Sequence, residues 1–169
     1  VKKTIPKIFS TKERNAILKY ARKHEPEMYR IIKFALYTGC RREEIHGARG
    51  ENVNDGVLRV TGKGDKERSI PIVKDALSAM RPVPDIGPIF VQWHPDTYTH
   101  RFKRIADNCG ITGKSFHNLR HTAATAMLES GIDLKWVKEI LGHEQLSTTE
   151  IYTRVRSELL AREMGKLKY

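Results

Sequence analysis

Apolar positions near the start of the chain recur at the three- and four-residue spacing of helices that bury one face. Ile17, Leu18 and Ala21 form the first such stripe. It is opened by Ser10, with Glu13 three positions on in the manner of a capping box, and is predicted to run to about residue 24. Pro26 suits the first turn of a second helix, whose stripe is Met28, Ile31, Ile32, Ala35 and Leu36 and which stops at Thr38-Gly39. A short helix is expected over 42–48. The period then changes. Asn54-Asp55-Gly56 is a tight-turn signal and Val57-Leu58-Arg59-Val60 reads as a strand. After a second turn at Thr61-Gly62-Lys63-Gly64-Asp65-Lys66, the alternation over 68–73 reads as the returning strand. Another short helix falls in the 70s, ended by Pro82 and Pro84, and 82–94 reads as loop with a little extended chain at Ile89-Phe90. Helical periodicity resumes over 96–108, 117–130 and 133–141, closed in turn by Gly110, Gly131 and Gly142. Ser147 with Glu150 repeats the capping pattern and opens a helix carrying Ile151 and Tyr152. The tail over 156–169 is helical, with Leu159, Leu160, Met164 and Leu167 apolar. The whole reads as an α+β chain, mostly helix with one small antiparallel sheet.

Length and composition narrow the class. The 169 residues suit one domain, and no internal repeat, low-complexity tract or Gly/Ser/Pro linker divides them. Lys and Arg number 31 against 20 Asp and Glu, a net charge of +11. Such an excess favours a polyanionic partner, nucleic acid before anionic membrane, because no amphipathic Lys/Arg helix carries an aromatic face. No apolar run reaches the roughly 18 residues that span a bilayer. Cys40 and Cys109 cannot build a disulfide framework. Reduced thiols and the lack of a signal-like apolar stretch at the N-terminus point to the cytoplasm.

Five fragments carry candidate chemistry: Thr38-Gly39-Cys40-Arg41, Gly62-Lys63-Gly64, His117-Asn118-Leu119-Arg120-His121, Leu141-Gly142-His143, and Thr149-Glu150-Ile151-Tyr152-Thr153. Each alone has an ordinary structural reading: a solvated cation, a hairpin tip, a surface pair, a helix stop beside a core histidine, a packed tyrosine. Together, two arginines, a lysine, two histidines and a tyrosine are what phosphodiester transesterification through a phosphotyrosine requires. Guanidinium forks pair bidentately with phosphate oxygens and stay protonated near neutral pH. Arg41 and Arg120 would thus hold non-bridging oxygens and stabilise the charge of a pentavalent transition state. A tyrosine nucleophile, with a free pKa of about 10, needs a base or a cationic field, and a 5′-hydroxyl leaving group needs an acid. A lysine on a mobile hairpin tip can supply that proton.

These residues resemble the catalytic domain of the tyrosine recombinases, the lambda-integrase and Xer family of site-specific DNA recombinases. Thr38-Gly39-Cys40-Arg41-Arg42-Glu43-Glu44-Ile45 is similar to the family's first box, Thr-Gly-Leu-Arg-x-x-Glu-Leu. Gly62-Lys63-Gly64-Asp65-Lys66-Glu67-Arg68 with Ile70-Pro71 is similar to the hairpin carrying its lysine. His117-Asn118-Leu119-Arg120-His121-Thr122 is similar to the His-x-x-Arg box, and Leu141-Gly142-His143 with Ile151-Tyr152-Thr153 to the last box. Arg120 and His143 lie 23 positions apart, and His143 and Tyr152 lie 9 apart, as the family arranges them.

The resemblance implies a compact helical domain with a three-stranded antiparallel sheet, residues 1–169 forming a single catalytic domain with 156–169 as its C-terminal tail. The N-terminal core-binding domain usual in the family is absent from this reading of the chain. Tyr152 would be the nucleophile of a 3′-phosphotyrosyl link, and Arg41 and Arg120 the clamp on the scissile phosphate. Lys63 would be the acid for the 5′-hydroxyl, His117 an acid or base near the tyrosine, and His143 a donor to a non-bridging oxygen. Glu44 would orient the first box. No metal or nucleotide cofactor is implied, and the partners would be double-stranded DNA and further copies of the chain in a tetramer. The tail would either dock in trans on a neighbouring subunit or fold back on its own domain. Cys40 stands where the family has Leu or Met, Asp65 where Asn is common, and Ala123 and Ala126 where bulkier residues are usual. Arg42, Arg68, Lys114 and Lys135 are candidate phosphate or groove contacts.

Three rival readings share some of these features: a type IB topoisomerase, a DNA-binding accessory factor without chemistry, and a zinc hydrolase built on His117 and His121. The last lacks a Glu after His117, and Arg120 sets a cation beside the pair. His121 reads instead as a packed helix histidine bonded to backbone.

Overall fold

The computed structural model describes residues 6–142 and 146–168, and for 146–148 the backbone alone. Among the described residues eight α-helices and one sheet follow in the order α1 (Thr11–His24), α2 (Pro26–Thr38), α3 (Arg42–His46), β1 (Val53–Asn54), β2 (Val57–Thr61), β3 (Glu67–Pro71), α4 (Lys74–Met80), α5 (Pro95–Asn108), α6 (His117–Glu129), α7 (Leu134–Leu141) and α8 (Leu146–Met164). The expected α+β class holds.

Local chemistry explains most boundaries. The Ser10 hydroxyl accepts from the Glu13 N–H at 3.1 Å and opens α1. The Glu13 carboxylate turns away from the cap, however, and takes Lys114 with both oxygens at 2.8 and 2.6 Å. A charge-assisted bond to a half-buried lysine outcompetes a single bond to a backbone amide. α2 begins on Pro26 and ends at Gly39, whose φ of +70 is the left-handed cap that only glycine adopts freely. The sheet has order β1-β2-β3, antiparallel throughout. β1 is two residues long and was invisible as a period-two pattern; Asn54 pairs with Val57 across Asp55 and Gly56, both at positive φ, as a tight hairpin turn requires. Leu58 faces Ile70 and Thr61 faces Glu67 in the second hairpin.

Two apolar clusters hold the elements together. The larger draws on α1, α2, the sheet, α4 and α5, with Phe34, Ile31, Leu58, Ile70 and Phe102 among its buried members. The smaller is made by Ala124 and Leu128 of α6, Val137 and Leu141 of α7, and Ile151 and Val155 of α8. α6 serves both, with Ala123 and Ala124 among its buried residues, and Ala123 lies 3.7 Å from where a Cβ on Gly39 would stand. The tail is one continuous helix to Met164, not a separate element. Its first half folds back in cis, since Ile151 and Val155 are buried and Leu159 packs beside them, each full burial contributing roughly 1.5–3 kcal/mol. Leu160, Met164 and Leu167 remain exposed. The capping box expected at Ser147 involves side chains outside the described residues. Among the described residues no helix is long and apolar enough to cross a membrane.

Candidate active site

Arg41 sits where the chain leaves the glycine cap of α2 and enters α3. Its backbone is extended, and its N–H donates to Glu44 Oε1 at 2.8 Å, which fixes the turn into the short helix. Glu44 is only 3% exposed. Burial would raise its carboxyl pKa, but the Arg68 hydrogen bonds and charge, with the Arg41 amide, hold it below the usual carboxylate range. Cys40 fills the apolar site next door; burial pushes its thiol up to about 11, so it is neutral near pH 7.

Arg120 comes from the middle of α6 and is 2% exposed. Its Nη1 donates to the Gly39 carbonyl at 2.7 Å, and its Nη2 to the Leu141 carbonyl. Both acceptors lie at the C-terminal ends of helices, where the backbone is most negative. Nε is buried without a protein partner. Burial, then the charges of Arg41 and Arg68, push the guanidinium down to about 10, still fully protonated at neutral pH.

His117, in the first turn of α6, lies in the field of those arginines. Burial first, then Arg120 and Arg41, lower its pKa, with Glu43 opposing. It is therefore a neutral imidazole near pH 7, able to accept a proton. Its ring meets His121 edge to face at 4.8 Å between centroids, and His121 is pushed down to about 4 by burial and by His117. Among the described residues no group of three metal-ligating side chains forms around this pair.

Arg41, His117 and Arg120 line one cleft of about 290 Å³, together with Cys40, Thr99 and Phe116. Arg41 also lines a second cleft of about 710 Å³, which Lys63, Arg68, Trp136 and Gly142 line as well. Arg41 is thus the residue the two clefts share. Lys63 is exposed on the hairpin tip, where Gly64 and Asp65 both take positive φ. Asp65, at φ 57, holds the left-handed position that Asn and Asp tolerate better than other side chains, which explains the family's preference there. Tyr152 is half-buried on α8 against the small cluster and lines neither cleft. His143 lies outside the described residues.

The candidate phosphate contacts divide. Arg68 and Lys114 are engaged in ion pairs within the fold. Two nitrogens of the Arg68 guanidinium are held by Glu44, Nε to Oε2 at 2.8 Å and Nη2 to Oε1 at 2.5 Å, while Nη1 is buried without a protein partner and the side chain is only 11% exposed. Lys114 is bound to Glu13 and lies 5.6 Å from the Phe9 ring centroid. Arg42 is shared among Glu43, Asp96 and Thr99. Lys135 stays exposed at the start of α7, beside the Trp136 ring. Sequence reasoning missed the buried role of Arg68, although period-two alternation places it on the same strand face as the buried Ile70.

The sequence pattern of the phage integrase family matches residues 7–158. Tyrosine recombinase XerD of Proteus mirabilis is 34% identical over 94% of this chain and 58% of its own length. The crystal structure of XerA recombinase superposes with a TM-score of 0.77 at 26% identity, over 99% of this chain and 68% of that one. XerH site-specific recombinase bound to difH substrate in a pre-cleavage complex gives 0.70 at 25% identity, over 95% of this chain and 55% of that one. The chain spans less than two thirds of the length of the curated relatives it matches. With that match over most of its length and these relatives, this chain belongs to the phage integrase family, as a tyrosine recombinase catalytic domain.

Proposed function

We propose that this chain cleaves and rejoins DNA strands at specific sites through a 3′-phosphotyrosyl intermediate, exchanging strands by way of a Holliday junction. The observation that carries the reading is the cleft holding Arg41, Arg120 and a neutral His117, with Lys63 on the wall of the adjoining cleft. Two guanidinium groups suit two non-bridging oxygens of one phosphate. Tyr152 Oη attacks the phosphorus as the bond to the 5′-oxygen breaks. His117 accepts the phenolic proton, Lys63 Nζ gives one to the departing 5′-oxygen, and His143 donates to a non-bridging oxygen. Attack by the 5′-hydroxyl of a partner strand reverses the step, and no cofactor enters because the phosphotyrosine conserves the bond.

Double-stranded DNA is the partner, in keeping with the +11 charge. Copies assemble as a tetramer, in which the exposed Leu160, Met164 and Leu167 reach a neighbour while the first half of α8 stays on its own domain. Leu160→Glu would then weaken assembly on a four-way junction and leave single-strand cleavage intact.

The deciding experiment is a denaturing gel for a covalent adduct, using nicked suicide duplexes from a pool of sequences. An adduct that disappears in Tyr152→Phe, with DNA binding kept, is the expected result. An adduct that survives in Tyr152→Phe overturns the choice of nucleophile, and DNA binding without any adduct overturns the chemistry.

A further inference from the structure

Arg68 is a cation that the proposed chemistry leaves unused, and it is enclosed. Its two bonds to Glu44 tie β3 to α3. The same carboxylate accepts the Arg41 N–H on Oε1. A Cβ built on Gly62 would stand 3.5 Å from Glu44 Oε2, so the residue before Lys63 rests against that oxygen. A Cβ on Gly142 would stand 3.8 Å from Arg68 Cδ. One ion pair therefore touches the backbone of the phosphate-clamping arginine, the root of the lysine-bearing tip and the turn after α7.

The tip itself has little to hold it. Lys63, Gly64 and Asp65 are exposed, and nothing lies within 4 Å of a Cβ built on Gly64. The turn is closed at its base by the Gly62 N–H donating to the Lys66 carbonyl at 2.8 Å. Where Lys63 stands relative to Arg41 is accordingly decided below the tip, by how the hairpin is fixed to α3. A bidentate guanidinium–carboxylate pair fixes direction as well as distance, which a lysine ammonium, acting as a point charge, does not.

We propose that Arg68 is a positioning residue: locked on Glu44, it sets the Lys63 tip at a fixed offset from Arg41, so that the lysine reaches the 5′-oxygen of a phosphate held by that arginine. This rests on the strand-transfer reading given above. A displacement of the acid by about 1 Å costs on the order of 10²-fold in rate, and it does so only when the leaving group needs a proton.

That condition supplies the test. A duplex whose scissile linkage carries sulfur in place of the bridging 5′-oxygen loses a thiolate, with a parent thiol pKa of about 8.5, and has no need of an acid. Adduct formation on the ordinary and the sulfur-bridged duplex is compared for the parent chain, Lys63→Ala, Arg68→Lys and the pair Glu44→Gln with Arg68→Met. The last removes both charges of the pair together, and circular dichroism checks that each variant folds. Arg68→Lys and the paired variant are expected to lose on the order of 10²-fold on oxygen and to come within about threefold of the parent on sulfur. Equal losses on both duplexes, or no loss on either, overturn the positioning role. Absence of any adduct from the parent chain on the sulfur duplex overturns the strand-transfer reading itself, and is seen before any variant is compared.

Discussion

Arg120 donates from Nη1 to the Gly39 carbonyl at 2.7 Å, joining the middle of α6 to the end of α2 across 81 positions of chain. A second donor holds the Leu141 carbonyl at the end of α7. The proposed phosphate clamp is thus also a tie between three helices, and its removal has a structural cost. Arg120→Lys keeps the charge, but one ammonium cannot replace a planar fork spanning two carbonyls. The variant is expected to lose about 1–3 kcal/mol, because at least one buried carbonyl is left without its donor. Urea unfolding would show this as a lower midpoint at unchanged slope. A midpoint equal to the parent's would mean the two bonds contribute nothing net.

Gly39 stands at the centre of the same junction. Any side chain there takes an unfavourable left-handed φ of +70, and a Cβ would come within 2.3 Å of Leu141 Cδ2. Gly39→Ala is expected to cost about 1–2 kcal/mol for the backbone alone, with the collision adding to it. In a Leu141→Ala background the collision is gone and only the backbone cost remains. A double-mutant cycle measures the difference, expected at about 0.5–3 kcal/mol. Identical costs of Gly39→Ala in the two backgrounds would sink the contact as an energetic link between α2 and α7.

Much of this architecture is written in local pattern. The stripe of α2 and the glycines that close α2, α6 and α7 are short-range signals, and the structure places them as the periodicity says. The pairing of charges is not local. Lys114 reads as a phosphate contact because nothing near it in sequence is acidic, yet its partner Glu13 lies 101 positions away and both are half-buried. Arg68 likewise finds Glu44 only through tertiary packing. The boxes mark which residues carry chemistry, while the ties among them depend on folds of the chain that no spacing reports. Lys114→Ala tests the reassigned lysine: DNA affinity and the slope of its salt dependence should stay as in the parent, and stability should fall by about 1 kcal/mol. A shallower salt slope in this variant would return Lys114 to the DNA-facing surface.

Acid should weaken the fold in two separable stages. His121 takes up its proton at its ordinary pKa of 6.5 in the unfolded chain but only at about 4 in the folded one. Between those values the unfolded state binds more protons, so stability rises with pH and is lost as pH falls from 6.5 toward 4. His117, also lowered by burial and by Arg120 and Arg41, acts with the same sign. Glu44 follows a different window: its carboxyl is held below the ordinary 4.5, so the Arg68 pair stabilises the fold above that value and is lost as pH falls beneath it. Thermal unfolding midpoints measured from about pH 7.5 down to about pH 3.5 should therefore decline by a few degrees through the histidine window and more steeply below it. His121→Gln keeps a polar side chain of similar reach that cannot ionise, and should flatten the first decline while leaving the second. Parallel curves for the parent and His121→Gln would show that His121 is not what senses the acid, and would leave the first stage to His117 or to groups elsewhere in the fold.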